Sequence, residues 1–316
     1  MSFTARRTVS SAAASAGAVA ADEEASADSL IQEKTARAGV VKMIIKALVE
    51  NTAAIDGLKC EHGLSLYIET KRHKVLFDTG ASKLFAENAA RMGINLAAVD
   101  TMILSHGHYD HGGGINTFLA INDRAKIYIH RDALGEHYAD RGEAGIKYIG
   151  IDKDLEKNER IIFVKDSLVL DDELELFAGV KGTRFRPSGN MALLMKTEEG
   201  YKVDDFTHEQ NLIISEDGKY LLVAGCAHNG IVNILDRFHQ LKNRMPDYCI
   251  GGFHLHNPAA DKYEDPAIVA EIAKVLKETG TSYYTGHCTG IKSYERLKEV
   301  MGSKVNYLGT GEELEL

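Results

Sequence analysis

The chain has 316 residues, 44% hydrophobic and 26% charged, with a formal net charge of -9. That is a globular mixture, and its acidic balance with no basic stripe argues against a nucleic-acid partner. No run approaches the roughly 20 apolar residues of a spanning helix, which argues against a membrane protein. Four cysteines, at 60, 226, 249 and 288, make no CxxC pair. Reduced thiols and a cytoplasmic setting are therefore expected.

Residues 1–40 differ in texture from the rest. Ser10 to Ala21 is almost all Ser, Ala and Gly, and Asp22 to Asp28 is acidic. This stretch reads as a disordered tail, or as sequence upstream of a start at Met43. Arg6-Arg7 ahead of the Ala-rich run keeps an export or organelle-targeting segment over residues 1–21 as the alternative. The folded domain is expected over 41–316. Residues 41–49 read as a strand. Residues 64–70 alternate apolar and polar, and 74–77 follow after a short charged turn, so the pair reads as a hairpin. Residues 83–92 have helical spacing and stop at Gly93. Residues 99–104 form a strand that runs into Ser105-His106-Gly107-His108. A helix over 113–121 and a strand over 125–130 follow. Residues 131–205 read as a polar helix, a charged segment and short β pieces, expected as an insertion over the active site. Strands at 211–216 and 219–224 flank Asp217-Gly218, a hairpin turn. Helices at 231–241, 266–277 and 293–301 then alternate with strands at 248–253, 282–285 and 305–308. Residues 312–316 close as a strand. Two strand-rich halves, each followed by helices, suggest a two-sheet core with helices outside.

The chemistry concentrates in Ser105-His106-Gly107-His108-Tyr109-Asp110-His111, three imidazoles and one carboxylate within six residues. Imidazole and carboxylate suit zinc, iron and manganese. On an extended turn His106 and His108 point the same way, because strand geometry has period two. Asp110 and His111 begin the next turn and reach the same hollow from the other side. Glycines from Gly112 onward allow the bends.

An HxHxDH run after an apolar strand resembles the metallo-β-lactamase superfamily. Further segments narrow the resemblance: Glu61-His62-Gly63, Asp78-Thr79-Gly80, Gly225-Cys226-Ala227-His228, Gly252-Phe253-His254-Leu255 and Gly286-His287-Cys288-Thr289-Gly290. In that order they resemble the subfamily of dihydropterin-methyl-ribofuranosylaminobenzene-phosphate synthase, over about residues 41–316. The resemblance implies an α+β fold, a four-layer αββα sandwich with the metals at one edge. It implies two divalent ions, zinc first and manganese or iron as alternatives. His106, His108 and His228 would bind one ion, and Asp110, His111 and His287 the other. Asp78 would orient a ligand imidazole from behind. A hydroxide between the ions would be the nucleophile, with Asp110 and His254 as the catalytic groups. Where many members carry a bridging aspartate this chain has Cys226, so Cys226 is a possible soft ligand. His208, before the same hairpin, competes with His228. Glu61 and His62 are possible residues of the opposite wall, and Arg184 and Arg186 possible contacts for an anionic substrate. His73, His130, His137, His239 and His256 are expected to have no catalytic part.

The expected activity is hydrolysis of a small phosphorylated, ester or lactone substrate. A synthase or transferase acting on a pterin-ribofuranosyl phosphate is the first alternative. An iron-dependent thiol oxidoreductase is the second, although His108 stands where the flavodiiron pattern has glutamate. A binding protein with a decayed site is the third. Oligomeric state is not legible.

Overall fold

Strands β1 (Ile44–Val49), β2 (Ser65–Glu69) and β3 (Lys74–Phe77) carry apolar side chains on both faces, so the sheet they build must be covered on both sides. Leu66, Ile68, Val75 and Phe77 point into one apolar layer, while Tyr67 and Leu76 point into another. The computed structural model describes residues 43–316. The tail, upstream-sequence and targeting expectations for residues 1–40 lie outside the described residues.

Helix α1 (Leu84–Arg91) leads to β4 (Thr101–Ile103), the short helix α2 (Tyr109–Gly112), α3 (Ile115–Ile121) and β5 (Lys126–His130). Seven short strands follow: β6 (His137–Asp140), β7 (Ile146–Tyr148), β8 (Ile161–Val164), β9 (Ser167–Val169), β10 (Leu174–Phe177), β11 (Leu193–Thr197) and β12 (Gly200–Val203). The hairpin of β13 (Asn211–Glu216) and β14 (Lys219–Val223) opens the second half. Then come α4 (Ile231–Lys242), β15 (Tyr248–Ile250), β16 (His256–Asn257), β17 (Lys262–Tyr263), α5 (Pro266–Glu278) and β18 (Ser282–Thr285). Helix α6 (Ile291–Met301), β19 (Val305–Tyr307) and β20 (Glu313–Glu315) complete the described chain.

Two seven-stranded sheets result, ordered β20-β1-β2-β3-β4-β5-β8 and β19-β18-β15-β14-β13-β10-β9. Each is antiparallel over one part and parallel over the other; β3, β4, β5 and β8 run parallel, as do β14, β15, β18 and β19. Leu212, Ile214, Leu221 and Val223 of the hairpin face the inner layer with Leu66 and Phe77. Ile213 and Leu222 face outward onto Ile234, Phe238 and Ile272 of α4 and α5. On the other flank Leu48, Tyr67, Leu76 and Met102 pack on Phe85 of α1 and Phe118 of α3. The order helix, sheet, sheet, helix is the αββα sandwich. Each fully buried Leu or Phe in these layers stabilises by about 1.5–3 kcal/mol over exposure.

One local expectation changes, and another takes a definite form. The turn expected to begin at Asp110 and His111 is helix α2, with His108 the extended residue before it. Among residues 131–205 there is no α-helix; the charged stretch Lys153–Lys157 is a 3-10 turn. That segment gives β8 to the first sheet and β9 and β10 to the second. Its β6, β7, β11 and β12 form a separate four-stranded sheet.

Behind the motif, Gly113 packs against backbone. A Cβ there would lie 2.3 Å from the Ala81 carbonyl oxygen and 2.6 Å from that of Tyr109. Neither can yield without moving the loop beneath α2. Gly113→Ala is therefore expected to destabilise by at least the about 1–3 kcal/mol of an overpacked site. Denaturant unfolding checks this; an unchanged midpoint would refute the close packing.

Candidate metal centre

The site lies where strands end. Asp78 follows β3, Ser105 to His111 follow β4, Cys226 and His228 follow β14, His254 follows β15, and His287 and Cys288 follow β18. Several of these residues have left-handed backbone: Asp78 (φ 59), Ala227 (φ 54), His254 (φ 49) and His287 (φ 50). Such conformations in non-glycine residues cost about 1–3 kcal/mol each and persist only where the surroundings impose them.

Hydrogen bonds fix which imidazole nitrogens are free. Asp78 is fully buried, and its Oδ2 lies 2.6 Å from His111 Nδ1. A carboxylate only accepts, so His111 donates there and its Nε2 keeps a lone pair. The Ser105 hydroxyl donates to the same Asp78 oxygen at 2.7 Å. Its oxygen can then accept only from His106 Nδ1, at 2.9 Å, which leaves His106 Nε2 bare. His228 Nδ1 faces Asn190 Oδ1 at 3.0 Å, while Asn190 Nδ2 donates to the His228 carbonyl at 2.7 Å. That orients the amide, makes Nδ1 the donor, and leaves His228 Nε2 buried without a partner. Asn51 does the same for His287. Its Oδ1 accepts from Gly63 N at 3.3 Å and lies 2.9 Å from His287 Nδ1; its Nδ2 donates to the His287 carbonyl at 3.3 Å. His287 Nε2 is therefore a lone pair as well.

These lone pairs converge in two groups. His111 Nε2 and His287 Nε2 are 3.1 Å apart, and Asp110 Oδ2 is 3.8 Å from the first and 3.4 Å from the second. His106 Nε2 is 3.1 Å from His108 Nδ1, with His228 completing the group. Two nitrogens on one tetrahedral zinc, at about 2.0–2.1 Å each, are separated by about 3.4 Å. His111 Nε2 and His287 Nε2 are both acceptors, and at 3.1 Å they repel unless a cation lies between them. The residues therefore fit divalent ions, and the ring of His108, whose Nε2 is buried and unpartnered, belongs to the same arrangement. Burial, reinforced by the neighbouring imidazoles, drives His106 and His228 well below the ordinary histidine range; burial and His208 do the same to His108. Neutral imidazole is the metal-binding form. Burial opposes charge on Asp110, but the surrounding imidazoles, His62 donating from Nε2 among them, outweigh it and hold the carboxyl well below its ordinary range.

The remaining expected residues take distinct places. Cys226 Sγ is buried, 3.1 Å from His111 Nε2. His62 accepts from Asn51 through Nδ1 at 3.4 Å, so its Nε2, 3.2 Å from Asp110 Oδ2, is the donor to that carboxylate. Glu61, expected on the opposite wall, is turned away. Its carboxylate accepts from the Ala81 and Ser82 amides at 3.1 Å and the Ser82 hydroxyl at 2.7 Å, pinning the entry to α1. His208 is near the motif but engaged at both nitrogens. Its Nδ1 accepts from Gly107 N at 3.0 Å, so its Nε2 carries the proton and donates to Asp204 at 3.2 Å. No lone pair remains for a metal. His254 packs 4.2 Å from His228, ring centre to ring centre, with both ring nitrogens unpartnered.

A small cavity over the centre is lined by His62, Tyr109, Arg141, Cys226, His228, His254 and their neighbours, among them residues of β6 and β11. Arg184 and Arg186 are not part of it: Arg184 pairs with Asp236 at 3.6 Å, and Arg186 donates to Asn229. Arg141 is the cation at the cavity, and no motif marked it. His256, expected to be inert, lines the mouth and stacks on Tyr263. His137 bonds Asp204 behind His108 at 2.9 Å. His73 bridges Asp100 and Asp171, and His130 bonds the Lys165 carbonyl.

Known proteins resemble this chain over most of its length. The sequence model of the metallo-beta-lactamase superfamily matches residues 58–188. A 7,8-dihydropterin-6-methyl-4-(beta-D-ribofuranosyl)-aminobenzene-5'-phosphate synthase of Methanocaldococcus jannaschii is 30% identical over 258 residues, covering 76% of this chain and 84% of that protein. An uncharacterized protein of the same organism is 27% identical over 271 residues, covering 84% of this chain and 98% of its own length. The crystal structure of Tm1679, described as a metal-dependent hydrolase of the beta-lactamase superfamily, superposes with a TM-score of 0.72 at 28% identity, covering 87% of this chain and 99% of that one.

Asn51 is expected to act on metal affinity without touching metal. Asn51→Ala frees the His287 ring, so affinity at the Asp110, His111 and His287 group should fall about 10–100-fold, as for other partners of ligand imidazoles. Asn51→Asp keeps the acceptor for His287 Nδ1 and should recover part of the loss. His208→Ala should keep the full metal count. Competition titration against a chromophoric chelator reads all three; unchanged affinity in Asn51→Ala would refute the tautomer argument.

Proposed function

The chain belongs to the metallo-β-lactamase superfamily, and from that premise we propose that it is a metal-dependent hydrolase holding two divalent ions and acting on a small phosphoester, ester or lactone. The observation that carries this reading is the pair of converging groups, in which the rings of His106, His111, His228 and His287 are each directed by a partner on the other nitrogen. His106, His108 and His228 would hold one ion; Asp110, His111 and His287 would hold the other. Bound divalent ions of this kind polarise a substrate oxygen and make water acidic enough to attack near neutral pH.

The chain's own groups set the rest. Asp110 presents Oδ2 toward both His111 and His287, so one carboxylate oxygen anchors that group. His62 Nε2–H donates to the same oxygen and keeps the carboxylate oriented across the cavity. Arg141 offers positive charge at the rim, suited to an anionic substrate. His254, unpaired at both ring nitrogens, is placed to hydrogen-bond a substrate group or leaving oxygen.

A second reading has its own support, the 30% identity to a synthase. On that reading the same centre would act on a pterin-ribofuranosyl phosphate, with Arg141 facing the phosphate.

Metal content and a substrate panel test the proposal together. Protein purified without added metal is expected to carry close to two zinc, manganese or iron ions per chain and to hydrolyse chromogenic phosphodiesters or lactones. His106→Ala and Asp110→Ala should each lose metal and at least about a hundredfold in kcat/KM, a floor set by what partners of ligands cost, while the circular dichroism spectrum stays native. Full activity of metal-depleted His106→Ala would overturn the site. Turnover of a dihydropterin with a ribofuranosyl phosphate, and of no ester, would move the assignment to the synthase reading.

A further inference from the structure

The two proposed ions leave Cys288 and His254 of the cavity lining unused, and Cys226 adjoins both, its Sγ 3.1 Å from His111 Nε2. Cys226, Cys288 and His254 meet there, each offering one donor atom, and the three atoms lie within 4.8 Å of one another. They come from the loops after β14, β18 and β15, three adjacent parallel strands of the second sheet. Both thiols are free and buried.

Both ring nitrogens of His254 are buried without a hydrogen-bond partner. Its backbone is left-handed at φ 49, a conformation that the surroundings must impose. A buried unpaired imidazole beside two sulfurs needs an explanation, and an unseen ion is one of the few available. The backbone supports the same view. His254 N–H donates to Cys288 Sγ at 3.3 Å, and hydrogen bonds to sulfur are among the means by which proteins tune metal-bound thiolates. Position 252 is glycine beside that sulfur; a Cβ there would lie 2.4 Å from Cys288 Sγ.

The donor chemistry differs from that of the neighbouring groups. Two sulfurs and one imidazole are soft, whereas the two groups above are imidazole and carboxylate. On a tetrahedral zinc the sulfurs would stand about 3.8 Å apart, and sulfur and nitrogen about 3.6 Å. Three donor atoms within 4.8 Å of one another are close enough to share one ion. Charge also balances: two thiols release their protons to water on binding, and two thiolates neutralise one divalent ion. A third ion therefore adds no net charge beside the other two.

We propose that Cys226, Cys288 and His254 form a third, thiophilic metal site that takes one zinc or cadmium ion, adjoining the two-ion centre at Cys226.

Cobalt(II) titration of chelator-treated protein tests this, because thiolate ligation gives a near-ultraviolet charge-transfer band that imidazole and carboxylate do not. Binding is expected to saturate at three equivalents, with the band complete after one of them. Cys288→Ser and His254→Ala should each lose one equivalent and keep two. Should those variants fail to fold, alkylation of the wild-type chain reads the same site: Cys226 and Cys288 should resist with zinc bound and react after chelation, while Cys249 stays protected. Saturation at two equivalents with no band would overturn the third site and leave the two-ion reading standing. A band undiminished in both variants would also overturn it, by assigning Cys226 alone to the two-ion centre. Thiol reactivity indifferent to metal would overturn it too, and failure to bind any cobalt would overturn both readings.

Discussion

The centre depends on one buried carboxylate. Asp78 has no exposed surface and sits in a left-handed turn at the end of β3. It receives the Ser105 amide at 2.7 Å, the Ser105 hydroxyl at 2.7 Å and His111 Nδ1 at 2.6 Å. A charge this deep is tolerated only when its lone pairs are filled, so each donor is held as firmly as the carboxylate needs it. That single requirement ties β3, β4 and α2 together and directs His111, and through Ser105 also His106, into the hollow. Gln210 secures the same loop from the other sheet, with its amide on the Ser105 carbonyl at 2.8 Å and its side chain on the Leu104 carbonyl at 2.7 Å. Asn51 and Asn190 repeat the device on His287 and His228. In each case a partner accepts a hydrogen bond from Nδ1–H, and the direction of Nε2 follows.

Such a loop cluster needs a rigid base. The strands whose ends carry it belong to sheets packed on both faces, and the inner layer joins β2 and β3 directly to β13 and β14 through Leu66, Phe77, Leu212 and Val223. Close packing resists the small backbone shifts that would relax Asp78, Ala227, His254 and His287 into ordinary conformations. The apolar layers thus sustain local strain that the loops could not hold alone. The ends of parallel strands in both sheets converge at one edge, where ligand sites of open α/β sheets also form.

The features legible in the chain were the local ones. Leu66 to Ile68, Val75 to Phe77 and the hairpin at Asp217-Gly218 declare themselves because strand alternation and turn chemistry act over a few residues. His106, His108, Asp110 and His111 are visible for the same reason. Asn51 is not: its partner His287 is 236 residues away, and an Asn after a strand carries no signal of its own. Arg141 reaches the cavity only because β6 pairs with β11. His208 and His228 look alike in the chain. What separates them is whether a donor or an acceptor faces Nδ1, and that is settled by Gly107 in one case and Asn190 in the other. Glu61 shows the converse, a residue beside the right loop whose carboxylate is engaged by two amides. The charged stretch Lys153–Lys157 has helical composition but too few apolar partners to extend past a 3-10 turn.

The same accounting bears on how metal and fold are linked. His108 and His228 each bury a nitrogen with no protein partner, and burial keeps both rings neutral. His111 and His287 face each other with lone pairs at 3.1 Å. Without a cation these are unfavourable terms in the folded state, and the unfolded chain escapes them by hydrating each ring. A cation placed among them converts repulsion and lost hydration into coordination, so its binding free energy enters directly into folding stability. Asp204 marks the boundary of this effect. Burial works against its charge, but His137 and His208 supply two hydrogen bonds and hold the carboxyl well below its ordinary range. That group is satisfied by protein alone. It forms the wall behind His108, and the unpartnered nitrogens begin at the next ring inward.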